Sequence, residues 1–238
     1  MTRLVLSLLA VATLLLPLAA PAATWTEGTH YVRITPPQQT TVPAGKVEVM
    51  EVFSYACPAC NAFQPVMDKL RSTLPPNAQI VYLPAAFNPQ EDWPMFQRAF
   101  LAAQALGIAE KTHQAMFDAV WKTGELGVTT PGGNRLKDPL PSLTDAARFY
   151  ARVAGVNPQQ FVAMANSFAI DSKVRAADAQ VLAMHVDSTP TLIVNGKYRV
   201  IRDSVQTNDQ VMELVRFLMA RAYEPLSLAI RNLTSSMT

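Results

Sequence analysis

Two cysteines, Cys57 and Cys60, are the only thiols in a chain of 238 residues, and Pro58 and Ala59 separate them. Metal and haem sites use similar spacings. A zinc site needs four ligands, but the chain has no second cysteine pair, and its three histidines are scattered along the sequence. A c-type haem needs a histidine directly after the second cysteine, where this chain has Asn61. We therefore expect no metal and no cofactor at this pair.

A structural disulfide and a redox-active dithiol remain as interpretations of the pair. A disulfide that closes so short a loop removes little entropy from the unfolded chain and stabilises weakly. A dithiol at the start of a helix is chemically favoured, because unpaired backbone N–H groups and a partial positive charge lower the pKa of a thiol there. In this interpretation Cys57 is the exposed nucleophile and Cys60, one turn inward, resolves the mixed disulfide. Pro58 and Ala59 would then tune the redox equilibrium.

The residues on either side of the cysteines predict a strand followed by a helix. β-branched and aromatic residues over 46–53 fit a buried strand. Pro58 suits the first turn of a helix, and apolar residues then recur at helical spacing through Leu70. A second strand is predicted at 79–83. The cysteines therefore lie where a strand gives way to a helix.

The rest of the chain is predicted as a helical block that returns to strands. Helices are expected at 93–106, 109–123, 144–153 and 171–185, with another beginning after Asn157-Pro158. Strands at 191–194 and 197–201 flank an Asn195-Gly196 turn. A capping box at Thr207 and Gln210 precedes a last helix through Ala222. The order of elements predicts an α/β fold in which the helical block is an insertion.

The chain begins with a pattern typical of exported proteins. Arg3 precedes a nearly continuous apolar run over 4–18, and Ala20-Pro21-Ala22 offers small residues at a cleavage position. The run is shorter than the ~20 residues that a membrane span needs, although an uncleaved anchor is the alternative. We expect a signal peptide that is cut after Ala22. The net charge of +2 argues against nucleic acid as a partner, since phosphate binding needs clustered Lys and Arg.

Two segments resemble the signatures of a known family. "VMEVFSYACPAC" resembles the active-site region of the DsbA family of periplasmic thiol:disulfide oxidoreductases, and "STPTLIVNGKYRV" (residues 188–200) resembles its cis-proline loop and following hairpin. The resemblance extends over 46–222 and implies a thioredoxin fold with an inserted all-helical domain. The implied divisions are a signal peptide at 1–22, the first half of the thioredoxin fold at 23–90, the helical domain at 91–186, the second half at 187–223 and a tail at 224–238.

The resemblance also implies roles for three further residues. Pro190 is the cis-proline that faces the dithiol, and Thr189 before it offers backbone groups to an extended substrate. Glu51 corresponds to an acid that lies under the dithiol and assists proton transfer. The alternative is that strand alternation turns Glu51 outward into water, since a buried carboxylate is costly without a partner.

Three departures from the family pattern affect the expected redox properties. The family usually has Pro-His between the cysteines, and here Ala59 cannot stabilise a thiolate as that histidine does. The family's buried acid often has a lysine partner on the next strand, where Tyr82 is the best match in this chain. Thr189 stands where Val is usual. Together these departures predict a less oxidising protein than the best-known members of the family.

The implied activity is transfer of a disulfide from Cys57 and Cys60 to reduced, unfolded exported proteins in the periplasm. By resemblance, a quinone-linked membrane oxidase of the DsbB type would reoxidise the pair. We expect a monomer. Isomerases of this group usually carry an extra N-terminal dimerisation domain, and the short segment before the first predicted strand argues against that form. A reductase or isomerase of the same fold and a redox-inert binding module are the alternatives.

Overall fold

A computed structural model describes residues 24–235, with side chains described through Tyr223. The predicted signal peptide and its cleavage position lie outside the described residues. The strands of the described sheet are β1 (Tyr31–Arg33), β2 (Val47–Phe53), β3 (Ala78–Pro84), β4 (Thr191–Val194) and β5 (Tyr198–Val200). They lie in the order β1-β5-β4-β2-β3.

Strand β2 is central, and all seven of its residues are buried. It pairs in parallel with β3 and antiparallel with β4. Val47, Val49 and the other odd-numbered residues of β2 face one side of the sheet, and Met50 and Val52 face the other, because strand side chains alternate. Both faces are covered, so five of the seven residues are apolar, and the two glutamates, Glu48 and Glu51, are buried as well.

The helices fall into three groups by what they cover. Their bounds are α1 (Pro58–Thr73), α2 (Trp93–Ala105), α3 (Ala109–Phe117), α4 (Leu143–Ala154), α5 (Pro158–Ala165), α6 (Phe168–Ala183) and α7 (Asn208–Ser235). Helices α1 and α7 pack on the face of the sheet that carries Val47 and Val49. Helix α6 packs on the opposite face against Met50 and Val52.

Helices α2 to α5 form a separate core that meets the sheet at the end of β2. Phe53, Tyr55 and both cysteines belong to this core together with buried residues of the four helices. The predicted thioredoxin fold with an inserted helical block is therefore confirmed. The insertion packs directly on the segment that carries the dithiol.

Three elements differ from the predictions. Strand β1, which pairs antiparallel with β5, was not predicted, because its three residues lie in a polar segment that is rich in Pro and Thr. The last helix, predicted to end at Ala222, continues to Ser235, so most of the predicted tail is helical. The segment after Ala222 has no glycine to end the helix, and its leucine and alanine residues favour helix, although α7 includes Pro225.

The helix that we predicted from residue 171 begins at Phe168 instead. Ser167 caps it, and its hydroxyl oxygen accepts a hydrogen bond from the Ile170 amide at 3.3 Å.

Across the described residues, no helix combines the length and the apolar composition that a membrane crossing requires.

Candidate active site

The first cysteine forms the N-terminal cap of α1. After β2 ends at Phe53, a short turn brings Cys57 to the cap position with extended backbone angles (φ −81°, ψ 117°), and Pro58 occupies the first turn. The Sγ atom of Cys57 accepts a hydrogen bond from the Cys60 amide at 3.3 Å. The sulfur therefore does what a serine or aspartate oxygen does at other helix starts, and it satisfies one of the free N–H groups there.

The surroundings of Cys57 stabilise its thiolate. They lower the pKa of this thiol to about 6, chiefly through a hydrogen bond from the Cys60 thiol. Burial opposes this effect, whereas Thr189 and hydrogen bonds from the Cys60 and Ala59 amides reinforce it. A large fraction of Cys57 is thus ionised at neutral pH, which is the reactive form.

The Cys60 thiol, unlike that of Cys57, is protonated at neutral pH. It is 0% exposed, and burial, its hydrogen bond to Cys57 and the negative charges of Cys57 and Glu51 raise its pKa well above the ordinary value. Its thiol remains protonated at neutral pH. The two sulfurs are not joined, so the structure is that of the reduced dithiol.

The exposure that we predicted for Cys57 is wrong in degree. Cys57 is only 4% exposed, although it remains more accessible than Cys60. The carbonyl oxygen of Thr189 lies 3.4 Å from the Cys57 sulfur, and the helical core covers the same residue. Pro58 and Ala59 are exposed instead, so the surface beside the sulfur belongs to these two residues.

The segment before β4 lies opposite the dithiol. The peptide bond between Thr189 and Pro190 is cis, and β4 begins at the next residue. The Thr189 hydroxyl oxygen is buried and has no hydrogen-bond partner among the described residues. The tertiary structure thus brings together residues that are more than 130 positions apart, with the Thr189 carbonyl against the Cys57 sulfur.

Glu51 lies buried in β2 beneath the dithiol, so the interpretation that it points into water is wrong. It is 0% exposed, and neither carboxylate oxygen has a hydrogen-bond partner in the described part of the chain. Burial is the main cause that raises its pKa to about 8, and the Cys57 charge adds to the effect. The carboxyl group is therefore largely protonated at neutral pH and can lose its proton about one pH unit higher.

The helical block positions the active-site turn through contacts that the sequence did not reveal. The Tyr55 hydroxyl lies 3.0 Å from Nδ1 of His113, and the Trp121 indole N–H donates to the Tyr55 carbonyl at 2.7 Å. Burial, with a smaller effect of Arg71, lowers the pKa of His113 to about 3, so the ring is neutral. His113 and Trp121 belong to helical segments far along the chain, and no spacing rule relates them to Tyr55.

The described residues include no group of three or more His, Cys, Asp or Glu side chains arranged as metal ligands. The donors that meet at this site are two sulfurs and one buried carboxyl. The arrangement suits exchange of electrons and protons between thiols, with one ionised sulfur, one protonated sulfur and one titratable acid within the same site.

Comparisons with known proteins agree with this geometry. A family model described as Thioredoxin matches residues 42–216. The thiol:disulfide interchange protein DsbA of Pseudomonas aeruginosa is 31% identical over 221 residues, which cover 93% of this chain and 97% of that protein. The protein of the same name from Pseudomonas syringae pv. tomato is 36% identical over 200 residues and covers 84% and 86%, respectively.

Solved structures give the same result in three dimensions. The oxidoreductase DsbA from Xylella fastidiosa matches with a TM-score of 0.71 at 31% identity, over 82% of this chain and 96% of that chain. The DsbA structure from Pseudomonas aeruginosa matches with a TM-score of 0.69 at 30% identity, over 85% and 97%.

Proposed function

The chain belongs to the DsbA family of thioredoxin-fold thiol:disulfide oxidoreductases, and we propose that Cys57 and Cys60 are the redox pair that donates a disulfide to reduced, unfolded exported proteins. The observation that carries this assignment is the place of the Cys57 sulfur at the start of α1, where it accepts the Cys60 N–H. A sulfur in that position leaves readily as a thiolate.

The transfer takes place in two exchange steps. A substrate thiolate attacks the Cys57 sulfur of the oxidised protein, the bond between Cys57 and Cys60 breaks, and Cys60 leaves and takes up a proton. A second substrate thiolate then attacks the substrate sulfur of the mixed disulfide, and Cys57 leaves as a thiolate. The substrate gains one disulfide and loses two electrons, which the two cysteines of the enzyme receive.

The low pKa of Cys57 sets the direction of exchange. Stabilising the thiolate stabilises the reduced form of the enzyme and makes its disulfide a better oxidant. This effect arises here without the family's histidine, because Cys60 and the backbone amides at the helix start supply the hydrogen bonds. Ala59 nevertheless leaves the protein less oxidising than relatives with histidine at that position.

Glu51 is assigned the role of proton carrier for Cys60. The two groups affect each other, since the negative charge of Glu51 is one cause of the raised pKa of Cys60. A carboxyl with a pKa of about 8 holds a proton that it can give to Cys60 when that sulfur leaves. It can accept the proton again when the dithiol is reoxidised.

Thr189 and Pro190 are assigned to substrate binding. The Thr189 carbonyl already contacts the sulfur that reacts, and β4 continues directly from this segment. An extended substrate could therefore align its backbone along residue 189 while its cysteine meets Cys57. The cover that this segment places over Cys57 suggests that binding includes a small local displacement.

The proposal also includes the location of the protein and the partner that reoxidises it. Membership of the family implies protein substrates and a membrane oxidase in general. We propose that the chain is exported to the periplasm, that its signal peptide is cut after Ala22, and that a quinone-linked partner of the DsbB type removes the two electrons. We further propose that it acts as a monomer.

A trapping experiment tests the assignment. Cys60→Ala protein, activated at Cys57 as a mixed disulfide with a small thiol, is mixed with a reduced, unfolded secreted protein, and adducts are identified by mass spectrometry. The expected product is a covalent adduct through Cys57, which Cys57→Ala protein does not form. Absence of the adduct would support a redox-inert module. Equilibration with glutathione separates an oxidase from a reductase, since a potential as low as that of thioredoxin would contradict the proposed direction.

A further inference from the structure

The buried carboxyl of Glu51 lies beside Tyr82 in the sheet. The register of β2 and β3 pairs these two residues, and Leu192 is the partner of Glu51 on the other side. Residues paired across neighbouring strands direct their side chains to the same face. Leu192 offers no polar group, so the polar environment of Glu51 comes from Tyr82 and from α1 above it.

A cation on α1 is tied to Tyr82. Arg71 donates a hydrogen bond from Nη2 to the Tyr82 hydroxyl oxygen and another from Nη1 to Asp68 at 3.0 Å. Its side chain is 43% exposed. Arg71 and Tyr82 both line a groove of about 980 Å³ along β3, which is one of the two edge strands of the described sheet. Tyr82 thus spans the distance between the buried carboxyl and a guanidinium at the edge of the sheet.

We propose that Arg71 is a positioning residue for the redox reaction, and that its guanidinium, held by the Tyr82 hydroxyl, provides the positive charge that acts on the Glu51 carboxyl. Because Arg71 acts through Glu51, this role rests on the proposed function, in which Glu51 exchanges a proton with Cys60. No direct hydrogen bond joins Tyr82 to Glu51, whose oxygens have no partner among the described residues. The coupling is therefore electrostatic.

Other ionisable groups around Glu51 do not provide this charge. The ionisable groups that interact with Glu51 are Cys57, Cys60, Arg71, Tyr82 and Tyr55. Asp68 pairs with Arg71, and His113 lies against Tyr82. His113 stacks on Tyr82, with ring centroids 4.1 Å apart, and is neutral because its pKa is about 3. Burial raises the pKa values of the two tyrosines, so they also carry no charge at neutral pH.

Arg71 affects the ionisation of Glu51, because its positive charge acts against two influences on the pKa of this carboxyl, which are burial and the negative charge of Cys57. Those two influences raise the pKa of Glu51, whereas Arg71 and, to a smaller extent, the uncharged Gln64 lower it. Arg71 therefore increases the fraction of Glu51 that is ionised at neutral pH and able to accept a proton from Cys60. Without this cation the carboxyl stays protonated to a higher pH, and reoxidation of the dithiol slows at neutral pH.

The test is the titration of Glu51 in four reduced proteins. The carboxyl carbon of Glu51 is followed by NMR across pH in wild-type, Arg71→Gln, Arg71→Lys and Lys69→Gln protein, and the signal is assigned with Glu51→Gln. Lys69 is the matched control, because it lies on the same helix, is exposed and pairs with Asp209 at 2.8 Å. The pH dependence of reoxidation by a small disulfide is measured in parallel.

We expect Arg71→Gln to raise the pKa of Glu51 by about half a unit or more, with the pH–rate profile shifted by the same amount. Arg71→Lys should retain most of the wild-type value, and Lys69→Gln should not change it. An unchanged pKa in Arg71→Gln, or an equal shift in Lys69→Gln, overturns the role of Arg71. A failure of the proposed function is distinguishable, because it would appear as the absence of a Cys57 adduct whatever the pKa of Glu51.

Discussion

The substitution Cys60→Ala tests the largest single cause of the acidity of Cys57. The pKa of Cys57 falls from its ordinary value of 9.0 to about 6, which corresponds to about 4 kcal/mol in favour of the thiolate. The Cys60 thiol donates one hydrogen bond to a charged acceptor, and such bonds contribute roughly 1.5–3 kcal/mol. Removing this donor should therefore raise the pKa of Cys57 by roughly one to two units.

A second substitution separates the hydrogen bond from other effects of the change. Cys60→Ser keeps a donor at the same position, so the pKa of Cys57 should stay near that of the reduced wild-type protein. The Cys60 amide, which donates to the Cys57 sulfur at 3.3 Å, remains in both variants. If the pKa of Cys57 is still below its ordinary value in Cys60→Ala, the remaining difference measures the contribution of the helix start.

The assay is the ultraviolet absorbance of the thiolate across pH, with alkylation rates as an independent measure. Equal midpoints for Cys60→Ala and Cys60→Ser would refute the assignment of the main effect to the thiol donor and give it to the backbone. A wild-type midpoint close to that of free cysteine would refute thiolate stabilisation altogether.

Three further outcomes are expected. In reduced Glu51→Gln protein, the free energy of unfolding should rise with pH between the native pKa of Cys57 (about 6) and its ordinary value of 9.0, because the native state loses this proton first. The expected slope is up to ~1.4 kcal/mol per pH unit. If urea unfolding shows a constant free energy over this window, the pKa of Cys57 is not lowered. Glu51 should have the opposite effect on the pH dependence of stability. Its pKa rises from 4.5 to about 8, so its contribution to the free energy of unfolding is complete below pH 4.5 and is lost as the pH rises through 8. Glu51→Gln should therefore become more stable relative to wild type across that range, and a constant difference would place Glu51 in water. Ala59→His, at an exposed position beside the sulfur, should raise the reduction potential by about 30 mV for each pKa unit by which it lowers the pKa of Cys57. Equilibration with glutathione measures the potential, and Ala59→Gln is the uncharged control. Equal potentials of the two variants would show that a cation at residue 59 does not stabilise the thiolate.

Local sequence patterns were sufficient to predict the parts of the site that lie within one segment. The apolar run of β2, the proline after Cys57 and the helical spacing that follows predict a sulfur at the start of a helix, and the structure has Cys57 at the cap of α1. The Asn195-Gly196 turn was predicted in the same way, and both residues have positive φ angles. These features depend on neighbours in the sequence, so propensity and periodicity can reveal them.

Distant contacts could not be predicted from such patterns. Strand β1 pairs with β5 across most of the chain length, although a run of three residues is too short to be predicted as a strand from its own sequence. Tyr55 contacts His113 and Trp121, and Arg71 reaches Tyr82, only because the sheet and helices bring these residues together. The same packing reduced the exposure of Cys57 below our expectation.

The sequence by itself determined which atoms can react: two thiols with a fixed spacing, a helix start beneath the first, and an acid in the preceding strand. Only the tertiary structure decided their protonation states. A pKa depends on burial and on charges that approach through space, and here those conditions come from Thr189, from the helical block and from the edge of the sheet at Tyr82. Nearest neighbours along a chain do not determine these conditions, so the electrostatics of the dithiol became apparent only once the chain was folded.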